Sequence, residues 1–255
     1  MKRLKKLFVL MGCILLCGGC SSSSDSQPTK SEELFKDLDA IATYEKASEY
    51  FNENVHYYKH VAKQTNISTN QISFQENSEL FNEDGKHSYI SFTKYEDFYN
   101  VTIVKDEKYF GLFNEEDVLQ ENILNQDTEM QKMFYDSAQN DFMRPVSQQE
   151  GVKIIDSSRE DKEGDIIVHI AYSLTNEDEE TTFYQTVDTY INQEGYIYKE
   201  LIQAYDDAEM KTLTYSTDVM MSDLNQKDSF DYESEVNKYK AYVGQSADEI
   251  AQFIQ

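Results

Sequence analysis

The stretch IIVHIAYSL, residues 166–174, decides the fold. Ile166, Val168, Ile170, Tyr172 and Leu174 recur at every second position, a spacing that gathers all five on one side of an extended chain and scatters them around a helix. The acid-rich run Asn176-Glu177-Asp178-Glu179-Glu180 follows as a turn, and FYQTVDTYI, residues 183–191, alternates again. Asn192 to Gly195 turns the chain into a strand from Tyr196 to Tyr205, and Leu213, Tyr215, Thr217, Val219 and Met221 complete a meander. Val152 to Ile155 forms a strand just upstream.

The same period of two governs the preceding part of the chain. Ile90 and Phe92 alternate with polar neighbours, as do Tyr99, Val101 and Ile103 beyond Glu96-Asp97. Tyr109 to Phe113 makes a short strand after the turn Lys105-Asp106-Glu107. Asn70 to Phe81 is a weaker strand, joined to the next by the hairpin turn Asn82-Glu83-Asp84-Gly85. Two segments break the pattern with helical spacing. Thr29 and Glu32 stand at capping-box spacing ahead of Leu34, Phe35, Leu38, Ile41 and Ala42, which predicts one amphipathic helix reaching about Phe51. Thr128 and Gln131 can cap a second helix, from about Asp127 to Gln139, with Met130, Met133, Phe134 and Ala138 on one face and its end before Pro145. Few helices and nine or ten strands make an α+β protein dominated by one antiparallel sheet in two meanders.

At the N-terminus, Lys2, Arg3, Lys5 and Lys6 precede an apolar stretch from Leu7 to Leu16, then Gly18-Gly19-Cys20. The apolar core is about ten residues, too short to span about 30 Å of hydrocarbon, so it reads as an export signal. Cys20 followed by four serines resembles the lipobox of bacterial lipoproteins, in which the cysteine thiol receives a diacylglyceryl group and becomes the mature N-terminus. That family places Leu three residues before the cysteine; here Cys17 holds the position and Leu16 lies one step further out. Residues 1–19 are therefore expected as signal peptide, residues 20–30 as a polar tether, and residues 31–255 as one domain. Cys20 is the expected lipidation site and the bilayer its first partner, which places the chain on the cell membrane facing the extracytoplasmic side.

Cleavage before Cys20 leaves 19 of the 23 basic residues against all 48 acids, a formal charge of −29. Such a surface repels nucleic acid and anionic headgroups, so nucleic-acid binding is excluded as a function class. Cys13 and Cys17 lie in the signal, which leaves Cys20 as the only mature cysteine, with no disulfide and no thiolate metal site. The fold must rest on its core, and about 220 residues suffice for one.

The succession of helix, meander, interrupting helix and second meander resembles the LolA/LppX-like lipoprotein-carrier superfamily. The stretch TVDTYINQEGYIY, residues 186–198, looks like the late hairpin of that family. The resemblance covers about residues 31–231. It implies a strongly curved, half-barrel sheet wrapped around the N-terminal and interrupting helices, with an apolar cavity for acyl chains. It implies no catalytic residues. Met130, Met133 and Phe134, with Phe142 and Met143 nearby, are the candidate ligand-lining residues, because methionine adapts to variable apolar ligands. Alternating strands also need no ligand at all, since one face of any antiparallel sheet packs on a core. The 19 tyrosines fit either reading.

No enzyme constellation stands out. His56 and His60 are four apart in VHYYKH, a spacing able to place both on one face, but no third ligand is near. GxSxG, phosphate-cradling glycine loops and His-Glu-x-x-His are absent from the sequence. Asp206-Asp207 and Glu179-Glu180 sit in turns where solvated charge is the ordinary explanation, and EF-hand spacing is missing. No metal or cofactor is expected. Near the C-terminus Ser246 and Glu249 again have capping-box spacing, with Ile250, Phe253 and Ile254 on one face of a short helix that must dock to persist. The sequence thus predicts a tethered, non-enzymatic protein that binds an apolar or lipid ligand, or alternatively an envelope protein-interaction or sensing module with a filled sheet and no small-molecule ligand.

Overall fold

The computed structural model describes residues 28–81, 87–95, 98–105, 108–115, 118–121, 145–162, 164–176, 181–242, 244–246 and 249–250. Its centre is one open antiparallel sheet of eleven strands. These are β1 (Tyr57–Asn66), β2 (Ile72–Phe81), β3 (His87–Tyr95), β4 (Phe98–Lys105), β5 (Lys108–Glu115), β6 (Val118–Glu121), β7 (Val152–Lys162), β8 (Asp165–Asn176), β9 (Thr181–Ile191), β10 (Ile197–Tyr205) and β11 (Leu213–Ser222). Their order is β6-β5-β4-β3-β2-β1-β11-β10-β9-β8-β7, so two meanders meet where β1 pairs with β11. The sheet does not close on itself, and with its few helices it is the curved α+β half-barrel expected from the sequence.

The single N-terminal helix expected to reach Phe51 is two helices, α1 (Lys30–Leu34) and α2 (Ala40–Asn54). The Thr29/Glu32 capping box forms as the sequence requires. The break follows from Asp37, which takes a left-handed φ of 59°, and from Asp39, whose carboxylate accepts a 2.8 Å hydrogen bond from the Ala42 amide and starts a new helix. The carbonyls freed at the break are not left bare. Arg159, on β7, donates to Phe35 O at 2.6 Å and to Leu38 O at 3.1 Å, supplying partners that a helix C-terminus otherwise lacks.

Neighbouring residues of β1 point to opposite faces. Tyr58 and Ala62 join the cluster built on Phe35, Tyr44, Ala47 and Phe51 of the α1–α2 segment, whereas Val61 joins a second cluster with Phe74, Ile90, Phe92 and Tyr239. The sheet is therefore packed on both sides. Its inner face receives α2 over the second meander, against Val168, Ile170, Val187 and Ile191. Its outer face receives α3 (Tyr232–Lys240) and Ile250 over the first meander. Full burial of a side chain such as Phe51 or Ile250 contributes roughly 1.5–3 kcal/mol.

Residues Ile166, Val168, Ile170 and Tyr172 are all buried on the α2 side, with Leu174 packed at the margin, as their alternation predicts. Of the expected C-terminal helix, the Ser246 and Glu249 capping bonds form at 2.6 and 3.2 Å and Ile250 is fully buried, while Phe253 and Ile254 lie outside the described residues. Three elements have no counterpart in the sequence pattern, namely β1, β6 and α3. The interrupting helix expected at 127–139 and the turns at 82–85 and 177–180 lie outside the described residues.

Candidate functional site

Cys20 and the candidate ligand-lining residues Met130, Met133 and Phe134 lie outside the described residues. His56 and His60 do not converge, although His60 and His87 both approach Glu79. His56 precedes β1 and meets Asp228 at 3.1 Å at the surface, while His60 sits on the inner face near Glu79. His87 reaches the same Glu79 at 2.9 Å, and His169 pairs with its cross-strand neighbour Asp188 at 2.6 Å. Among the described residues no three His, Cys, Asp or Glu side chains come together as a metal group. Asp207 serves the fold, since its carboxylate accepts from the amides of Glu209, Lys211 and Thr212 and so closes the turn between β10 and β11.

The inner face changes character along the sheet. Over the second meander it is apolar and covered by α1 and α2. Charged side chains interrupt it at Arg159 and Asp161 of the edge strand β7 and, further in, at Glu200 of β10, paired in register with Thr189 of β9, whose hydroxyl donates to it at 3.0 Å. Burial drives the Glu200 carboxyl up to about 7, and the Thr189 bond offsets only part of that.

Over the first meander the inner face is polar. Burial alone would raise Glu79, but the His87 hydrogen bond and charge, the charge of His60 and the Tyr58 hydroxyl outweigh it and hold the carboxylate below its usual range. His60 is pushed down by burial, with Glu79 opposing. Asn77 donates to Glu79 at 3.2 Å. Beyond this cluster, toward the far end of the strands, the register places Gln64, Asn66, Ser73, Gln75, Ser91, Thr93 and Thr217 on the same face. Every inner-face position of β1–β4 other than Glu79, His60 and His87 is uncharged, in a chain whose formal net charge is −25.

A groove opens at that end, with a volume of about 200 Å³, lined by Gln64, Asn66, Gln71, Ser73, Tyr95 and Tyr215. Its floor comes from β1, β2 and the turn that joins them. Asn66 Oδ1 accepts from the Ser68 amide at 3.0 Å, the Ser68 hydroxyl at 2.8 Å and the Thr69 amide at 3.1 Å, and Asn70 takes a left-handed φ of 57°. Those bonds fix the turn. Tyr95 and Tyr215 stand at opposite sides, 48% and 41% exposed. The sequence carried a partial signal for this site, because Ser73, Gln75 and Asn77 are polar at period two. It carried none for which strands would bring Tyr95 and Tyr215 beside them.

No protein-family model matches this chain. No curated protein matches it either. Solved structures similar to it include LprF from Mycobacterium bovis, at 10% identity and a TM-score of 0.43 over 74% of this chain and 94% of that one. A LolA superfamily protein from Nitrosomonas europaea is similar at 10% identity and a TM-score of 0.31, over 76% and 96%. The MucA/MucB complex of Pseudomonas aeruginosa contains a chain similar at 10% identity and a TM-score of 0.34, over 73% and 62%. Each likeness spans about three quarters of this chain at 10% identity.

Proposed function

We propose that this chain is a membrane-tethered, extracytoplasmic binding protein that holds a ligand without transforming it. Lipidated Cys20 anchors it, and residues 20–30 let the domain stand off the bilayer by tens of ångströms at roughly 3.3 Å per residue. The observation that carries the reading is the division of the inner face. The chain's own helices fill the apolar half, whereas the first-meander half presents amides, hydroxyls and an open groove. This arrangement fits recognition on a filled sheet more closely than an acyl cavity among the described residues.

Lipid capture is the second reading, favoured by Met130, Met133 and Phe134, the adaptable apolar side chains of the segment between the two meanders. Native mass spectrometry with lipid extraction on the full chain separates the two: a bound acyl species supports capture, and a lipid-free mass supports the polar face. Anchoring has its own test. Wild-type chain is expected in the membrane fraction and Cys20→Ala in the soluble fraction; a Cys20→Ala variant that stays with the membrane overturns the tether.

A further inference from the structure

We propose that the groove between Tyr95 and Tyr215 binds a neutral saccharide. The assignment rests on the binding-protein reading above and adds the class of ligand. Pyranose rings present two kinds of surface, a ring of hydroxyls around the edge and patches of C–H on the faces. Both have a counterpart here. Gln64, Asn66, Gln71 and Ser73 line the groove with planar amides and a hydroxyl, the Oδ1 of Asn66 already held by the turn, and the two tyrosine rings offer apolar platforms with polar tips.

Charge selects within the carbohydrates. A chain at −25 repels anionic polymers at long range, and the uncharged groove offers them no compensating cation. A neutral sugar meets neither obstacle. Scale agrees with this choice. Tyr215 on β11 and Tyr95 on β3 are separated by β1 and β2, three strand spacings or about 14 Å between backbones at about 4.8 Å each. The volume of about 200 Å³ is smaller than the roughly 300–1,000 Å³ of drug-sized pockets, so the site takes one residue of a glycan and leaves the rest in solvent.

A peptide is the competing occupant of an amide-lined groove, and the topology disfavours it. Extended peptides gain affinity by adding a strand to a free sheet edge. β1, β2, β3 and β11 are each paired on both sides, and the edges of the sheet are β6 and β7. The groove lies over the turn end of strands that are already paired on both sides, so an extended peptide finds no free strand edge there.

The test is calorimetric titration of the full chain, in detergent, with an N-acetylglucosamine trisaccharide and with a glucose trisaccharide. At least one is expected to bind saturably. Tyr95→Ala and Tyr215→Ala are each expected to weaken it about tenfold, equivalent to about 1.4 kcal/mol, while Phe183→Ala, an equally exposed aromatic elsewhere on the sheet, leaves binding unchanged. Both tyrosines are exposed, so circular dichroism melting of the variants is expected to match wild type and so exclude unfolding as the cause. Failure of both sugars to bind, or binding indifferent to both tyrosine variants, overturns the saccharide site. Capture of a peptide or a lipid in its place overturns this assignment while the binding-protein reading stands.

Discussion

The Thr189 hydroxyl donates a 3.0 Å hydrogen bond to Oε1 of Glu200, its cross-strand partner on the inner face of the sheet. That single bond accompanies a half-buried acid beside Tyr44 and Tyr172. Burial penalises the ionised form, and the carboxyl is raised to about 7.

A raised acid makes the fold less stable as pH rises, because between its unfolded value of 4.5 and about 7 the folded chain holds a proton that the unfolded chain has lost. Glu200→Gln keeps the shape and the acceptor for Thr189 and removes the titration. It is expected to stabilise the chain at pH 8 by about 3 kcal/mol, from about 1.4 kcal/mol per pKa unit, and to change little at pH 4. Thermal melting at the two pH values checks this; equal effects at both would show that Glu200 does not titrate in the fold.

His60 and Glu79 act at lower pH and in the other direction. His60 is held below 6.5, so the unfolded chain takes up its proton first and stability falls as pH drops below 6.5. Glu79 is held below 4.5, and its contribution, present above 4.5, is lost as pH falls through its folded value. His60→Gln is expected to flatten the stability profile just below pH 6.5 and leave the loss below pH 4.5 in place. Denaturant midpoints measured across pH 3.5–7.5 test the separation.

Gly195 turns β9 into β10 with φ of 91°, and a Cβ there would stand 2.7 Å from Leu34 Cδ1 of α1. The same turn accepts a 3.0 Å hydrogen bond at Gln193 O from the Ser31 amide, so α1 is seated on it. Gly195→Ala is expected to destabilise the chain by about 1–3 kcal/mol through the strained backbone alone. A melting temperature equal to wild type would contradict the contact.

Ile250 is fully buried against the first-meander cluster. Ile250→Ala is expected to cost about 2–5 kcal/mol and to raise hydrogen exchange in α3 and β3, which share its cluster, more than in β8. Uniform or absent change would place the end of the chain off the sheet.

Legibility in the sequence followed how many sides of each element are covered. β8 has a packed inner face and reads as clean alternation from Ile166 to Leu174. β1 lies at the centre of the sheet and packs on both faces, with Tyr57 and Tyr58 adjacent and both buried, so its pattern has no period of two to detect. α3 buries Tyr239 and packs Val236 on the same cluster but is otherwise rich in polar residues, YESEVNKYK, and is held by docking and by Lys238 and Lys59 around the buried Glu76 of β2. Period alone could not announce it.

By itself the sequence determined the capping boxes at Thr29 and Ser246 and the strand character of most of the two meanders. Each depends on residues within a few positions of one another, where backbone geometry and local hydrogen bonds decide the outcome. Tertiary structure alone decided that β1 pairs with β11, that α2 and α3 cover opposite faces, and that Tyr95 and Tyr215 flank one groove. Backbone pairing uses the same amide and carbonyl groups in every strand, so side-chain period says which face a residue takes and leaves the partner strand to the packing of the whole sheet.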